Sequence, residues 1–182
     1  HKFLRCRVFS LPTYIVLDVP PPVSDYVKAL RRRFDPERAD VPVEITITGS
    51  SGLGTIVQDQ NPVTIFRTVT EIASKFTPFQ TSFLRVKKFR GTGITYFELA
   101  NPLNFIQIHN AFASSPIKFN INPFPFTPHC TIRLKRGIRI KEIREAILTA
   151  PPEYEFFLSS MSVYTYEDEK MKSKLLYRTH LG

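Results

Sequence analysis

Two runs of strand composition, Thr13-Tyr14-Ile15-Val16-Leu17-Asp18-Val19-Pro20 and Thr95-Tyr96-Phe97-Glu98-Leu99-Ala100-Asn101-Pro102, share Thr, Tyr, Leu and Pro at a constant offset of 82 positions. A repeated order of this kind points to an internal duplication. Behind each proline the apolar period changes to that of a helix, over Val23 to Phe34 with Ser24 and Asp25 as cap candidates, and over Leu103 to Ala113 with Phe105, Ile108 and Phe112 on one face. Each half then offers a second strand preceded by proline, Val43 to Thr48 and His129 to Leu134, which makes Glu44 and His129 equivalent at an offset of 85. Helical stretches Pro62 to Phe76 and Ile140 to Leu148 follow, then alternating runs Phe79 to Phe89 and Phe156 to Tyr166. Strands Ile94 to Leu99 and Lys174 to Leu181 close the two halves.

This order predicts an α/β (α+β) fold over residues 1–182, one domain made of two pseudo-symmetric lobes at about 13–93 and 94–182. Terminal strands are expected to exchange between the lobes, antiparallel-rich sheets to line a central cleft, and helices to lie outside.

Residues i and i+2 of a strand share a face. His129, Thr131, Arg133 and Lys135 are therefore expected on the cleft side and Cys130, Ile132 and Leu134 on the core side; in the first half Glu44, Thr46 and Thr48 face the cleft and Ile45 and Ile47 the core. Alternating Thr and Ile is also ordinary strand composition, and a lone histidine is commonly structural, so parity alone leaves both readings open. His109, among Ile106, Ile108 and Phe112, reads as a packing residue, and His180 shares parity with Arg178 without a decided environment. Gly91-Thr92-Gly93 reads as a hairpin turn, because no helix start follows it.

Charge adds a preference for partners. The net charge of +9 is concentrated in Arg31-Arg32-Arg33, in Arg85 to Arg90 and in Arg133 to Lys141, which favours a polyanion such as RNA or a nucleotide. With no Trp and two Met, most of the 16 Phe and 7 Tyr must fill the core. Cys6 and Cys130 have neither metal spacing nor a disulfide framework and are expected as reduced thiols. No apolar run approaches the roughly 20 residues of a membrane span. A cytoplasmic protein with no membrane partner is expected; the sequence leaves the oligomeric state open and is compatible with a monomer.

Pro128-His129-Cys130-Thr131-Ile132 resembles the second His-x-Thr-hydrophobic signature of the two-histidine phosphoesterases, the 2′-5′ RNA ligase-like superfamily. The resemblance covers nearly the whole chain: the opening strand and Pro-rich turn Tyr14 to Pro22, the following helix, a short strand ending at Gly49 where the first signature belongs, and the close Tyr164 to Leu181. It implies two histidines flanking a phosphodiester or 2′,3′-cyclic phosphate, one taking and one giving a proton, with threonines holding the phosphate and no metal or cofactor. Carried over, His129, Thr131 and Thr46 match their signatures, and Glu44 stands where the first histidine belongs; Arg133, Lys135 and Thr48 are the expected substrate-binding residues.

A carboxylate with a pKa of about 4.3 is ionised at neutral pH and accepts a proton but does not donate one. It would also repel phosphate by about 4 kcal/mol at ~4 Å and an effective dielectric of about 20, more than the roughly 1.5–3 kcal/mol of a charged hydrogen bond. The resemblance thus implies a metal-independent RNA 2′,3′-cyclic phosphodiesterase or 2′-5′ RNA ligase acting on RNA ends or small nucleotides with weakened activity, or a noncatalytic RNA- or nucleotide-binding protein with a degenerate site. Pairing with Arg133 would neutralise Glu44, and Glu44→His is expected to raise turnover.

Overall fold

The computed structural model describes residues 9–135, 137–167 and 172–182; Cys6, Arg136 and part of the charged turn before the last strand lie outside them. Among the described residues nine strands and four α-helices follow in the order β1 (Thr13–Asp18), α1 (Val23–Phe34), β2 (Glu44–Thr48), α2 (Pro62–Ser74), β3 (Phe79–Thr81), β4 (Phe83–Lys88), β5 (Thr95–Leu99), α3 (Pro102–Ala113), β6 (His129–Arg133), α4 (Ile140–Ile147), β7 (Phe156–Leu158), β8 (Ser160–Tyr166) and β9 (Ser173–His180). The elements follow the hydrophobic pattern closely. The helix starts differ from it: α1 begins behind Pro22 with no side-chain cap, and Ser24 is buried within its first turn, whereas Asn61 caps α2 by accepting the Val63 N–H at 2.9 Å.

The sheets run β2-β1-β8-β9 and β4-β5-β6, beside a short β3-β7 pair, and every pairing is antiparallel. The order β2-β1-β8 in one sheet is answered by β6-β5-β4 in the other, so each sheet takes a strand from the opposite half of the chain. Strand alternation sends Ile15, Leu17, Ile45, Ile47, Met161 and Val163 of the first sheet, and Phe97, Leu99, Cys130 and Ile132 of the second, into one continuous core. Val27, Phe34, Val69, Phe105, Ile108 and Phe112 meet them from the helices. The opposite faces carry Tyr14, Glu44, Thr46 and Tyr166 on one sheet and His129 and Thr131 on the other, and these are the faces left to line a cavity.

One expected cleft residue is structural. Arg133 is 0% exposed. Its Nε donates to Glu142 Oε1 at 3.0 Å, Nη1 to the Gly93 and Lys135 carbonyls at 2.7 and 3.1 Å, and Nη2 to the Gly137 carbonyl at 2.6 Å. It therefore neither binds substrate from the cleft nor pairs with Glu44. It ties the β4–β5 turn and the segment before α4 to the end of β6, and a Cβ on Gly93 would stand 2.5 Å from Nη1, so that turn needs glycine. β6 ends at Arg133, so the alternation does not continue to Lys135, which does not line the cavity.

Removing one partner of a buried ion pair strands the other charge and its carbonyl acceptors. Arg133→Ala is expected to cost about 3–5 kcal/mol in denaturant unfolding, and Lys135→Ala less than about 0.5 kcal/mol.

Candidate active site

The last turn of α1 places β6. Arg31 lies on the buried stripe of that helix with Val23, Val27 and Phe34, while Arg32 and Arg33 point to solvent. Its Nε and Nη2 donate to the Thr131 carbonyl at 3.2 and 3.0 Å, and Nη1 donates to the Val41 carbonyl at 2.8 Å just ahead of β2. One helical turn on, the buried Asp35 accepts the Leu134 N–H at 2.8 Å and pairs with Arg38 at 3.1 Å. Two side chains at i and i+4 thus hold β6 alongside β2, although no ladder joins the two strands.

Between these strands lies a cavity of ≈ 680 Å³, large enough for a nucleotide-sized ligand. Glu44 and Thr46 of β2 face it from one side and His129 and Thr131 of β6 from the other; Tyr14, in contact with Tyr166 and Ser173, also lines it, as do Phe89, Arg90 and Phe124.

His129 is 5% exposed. Its Nδ1 lies 2.6 Å from the Thr127 carbonyl, an acceptor, so Nδ1 carries the proton and Nε2 is left with its lone pair. Phe89 and Tyr96 meet the ring edge to face at 5.1 and 5.6 Å. Burial lowers its pKa, opposed by the Thr127 bond, and the imidazole is neutral at physiological pH.

Glu44 is the larger departure from expectation. Part of the side chain borders the cavity, but Oε2 is shielded from solvent and has no hydrogen-bond partner among the described residues. Burial raises its pKa to about 8; Arg31 opposes this, Asp18 adds to it, and the Tyr14 hydroxyl, which also meets Ser173 at 2.8 Å, opposes it. Glu44 is therefore protonated at neutral pH. The raised pKa runs against the expectation of an ionised carboxylate that repels phosphate and cannot donate a proton.

A family model described as the 2′-5′ RNA ligase superfamily matches residues 19–170. The chain belongs to that superfamily. Solved structures show the same fold: E. coli LigT complexed with 3′-AMP superposes with a TM-score of 0.64 at 16% identity, covering 94% of this chain and 98% of that one. LigT complexed with ATP gives 0.59 at 16% identity, over 94% and 97%. TT0787 of Thermus thermophilus gives 0.62 at 13% identity, over 94% and 98%. No curated protein matches the sequence.

Within this superfamily fold, Glu44, Thr46, His129 and Thr131 come together around the cavity. Thr48 does not join them: it is 0% exposed, and its hydroxyl accepts the Ile15 N–H at 3.2 Å beside an irregularity in the β1–β2 register. His180 sits exposed on β9 and does not line the cavity. Pattern reading missed Arg31, Asp35, Tyr14 and Arg90. Arg31 was legible, because a basic residue at i+8 from Val23 on an apolar stripe must find buried acceptors. Among the described residues no group of three His, Cys, Asp or Glu could hold a metal ion.

Glu44 has a pKa of 4.5 unfolded and about 8 folded. The folded state thus retains a proton that the unfolded chain releases, and stability conferred by the neutral acid is lost as pH rises through that window. The difference between the parent and Glu44→Gln isolates the effect: in denaturant unfolding between pH 7 and 8, parent stability is expected to fall with pH more steeply than that of Glu44→Gln.

Proposed function

We propose that this protein is a metal-independent phosphodiesterase acting on 2′,3′-cyclic phosphates of RNA ends or small nucleotides, with His129 as general base and Glu44 as general acid. The observation that carries this reading is the pairing of a neutral imidazole with a free Nε2 and a carboxylic acid that holds its proton at neutral pH, on two strands facing one cavity. His129 Nε2 takes a proton from water as its oxygen attacks phosphorus. The bond to the 2′ or 3′ oxygen breaks, and that oxygen receives the Glu44 proton. The product is a phosphomonoester, and the proton held by His129 returns to Glu44 through solvent.

The Thr46 and Thr131 hydroxyls face the space between acid and base and supply donors to the phosphoryl oxygens. Arg90, at the rim and in no ion pair among the described residues, takes the anion-attracting role expected of Arg133 and Lys135. A neutral Glu44 adds no charge repulsion, so the site is matched to an anionic ester as it stands. The net charge of +9 supports an RNA end as the natural substrate.

Hydrolysis of nucleoside 2′,3′-cyclic phosphates is expected to survive chelator. Its kcat/KM should fall on the acid side as His129 gains a proton and on the alkaline side near pH 8 as Glu44 loses one. Glu44→Gln and His129→Ala should each lower it by about 10²–10⁴-fold, the first removing the alkaline limb. Loss of activity with EDTA, or a folded Glu44→Gln protein with unchanged kinetics, would falsify the mechanism; tight nucleotide binding without turnover would favour a noncatalytic binding protein.

A further inference from the structure

His109 is half-buried in the middle of α3 and does not line the cavity. Its Nε2 accepts the backbone N–H of Leu53 at 3.0 Å, and its ring stacks on Phe126 with centroids 4.2 Å apart and planes 10° from parallel. The histidine is thus wedged between the loop that follows β2 and the segment that precedes β6.

That loop is built around it. Gly52 has φ +66°, and a Cβ there would lie 2.4 Å from His109 Nε2 and 2.7 Å from Phe126 Cβ, so conformation and space both require glycine. The two segments also bind each other: Gly52 N–H donates to the Phe124 carbonyl at 2.7 Å, Gly54 N–H to the Asn120 carbonyl at 3.0 Å, and Asn122 Nδ2 to the Gly49 carbonyl at 3.2 Å. The buried Ser51 accepts the Thr127 N–H at 3.1 Å. The Thr127 carbonyl, in turn, accepts the His129 Nδ1 proton.

We propose that His109 is a positioning residue for the site: it locks the 49–54 loop against the 122–127 segment and so fixes, through Ser51 and Thr127, the tautomer and orientation of His129. This rests on the reading of His129 as the base, and it assigns a role to a histidine that composition and periodicity leave as simple packing. A ring that accepts a backbone N–H at Nε2 must carry its proton on Nδ1, which faces Asn110 Oδ1 at 3.4 Å. A second proton would set one N–H against another and break the Leu53 bond. The groups packed on the ring from the loop are Gly52 and Leu53, from the 122–127 segment Phe126, and from its own helix Asn110; none is charged, and burial lowers the pKa of His109 with only Asn110 opposing it. The lock is therefore closed at neutral pH and opens below the ordinary histidine range.

The test uses the full chain, with NMR of ring nitrogens and backbone amides beside kinetics on nucleoside 2′,3′-cyclic phosphate. In the parent protein the Leu53 amide should shift in one step with the His109 ring on acidification, the Thr127 amide should show a step at the same pH beside that of His129, and His129 should be a pure Nδ1–H tautomer at neutral pH. His109→Ala should give mixed His129 tautomers and lower kcat at least tenfold with KM changed less than threefold. His109→Gln, whose side-chain oxygen can accept the Leu53 N–H without titrating, should restore most of kcat and abolish the acid step at Leu53, leaving at Thr127 only the response to its own partner His129. A Leu53 amide that does not follow His109 in the parent, an acid step at Leu53 that persists in His109→Gln, or a folded His109→Ala protein with an unaltered His129 tautomer each overturn the proposal. A parent protein that turns over no cyclic phosphate contradicts the proposed activity alone, because the amide and tautomer measurements need no turnover.

Discussion

β2 and β6 belong to different sheets, share no backbone hydrogen bond, and yet must face each other closely enough for one ligand to touch both. The last turn of α1 imposes that arrangement. Arg31 commits its guanidinium to the Thr131 carbonyl of β6 and the Val41 carbonyl ahead of β2, and Asp35 takes the Leu134 N–H beyond β6. A buried cation with no carboxylate partner among the described residues is costly unless its donors are satisfied, and here carbonyls satisfy them. The same guanidinium keeps the pKa of Glu44 from rising further, so one residue sets both the distance between the strands and the poise of the acid between them.

The chain is strongly basic, but the centre of its cavity pairs two groups that are neutral at physiological pH. Burial achieves this from opposite directions, raising a carboxylic acid and lowering an imidazole. Pairs whose environments push their pKa values apart are the usual arrangement for concerted proton transfer near neutrality. The arrangement costs stability at alkaline pH through Glu44, a cost that an apolar or amide side chain at that position would avoid.

Alternation of apolar residues in Tyr14 to Leu17, Glu44 to Thr48 and His129 to Arg133 was enough to read the strands, their faces and the cavity positions of Glu44, Thr46, His129 and Thr131, because each depends on i, i+2 parity alone. Arg133 broke that reading although its parity was right: a residue at a strand end can turn its long side chain back under the next turn, and Gly93, Gly137 and Glu142 supply the acceptors there. Thr48 broke it because the β1–β2 register slips between Ile15 and Val16. The acidity of Glu44 was beyond local pattern, since the groups that surround it come from α1, from β1 and from the cavity lining that includes Tyr166, more than 120 positions downstream.

Direct titration of the Glu44 carboxyl, by carbon-detected NMR of protein labelled in its glutamate side chains and assigned through Glu44→Gln, bears most closely on the account. A single carboxyl resonance that titrates with a midpoint near 8 and disappears in Glu44→Gln is the predicted result. A Glu44 midpoint in the ordinary carboxylate range, about 4.3, would contradict it and leave the cavity without its acid.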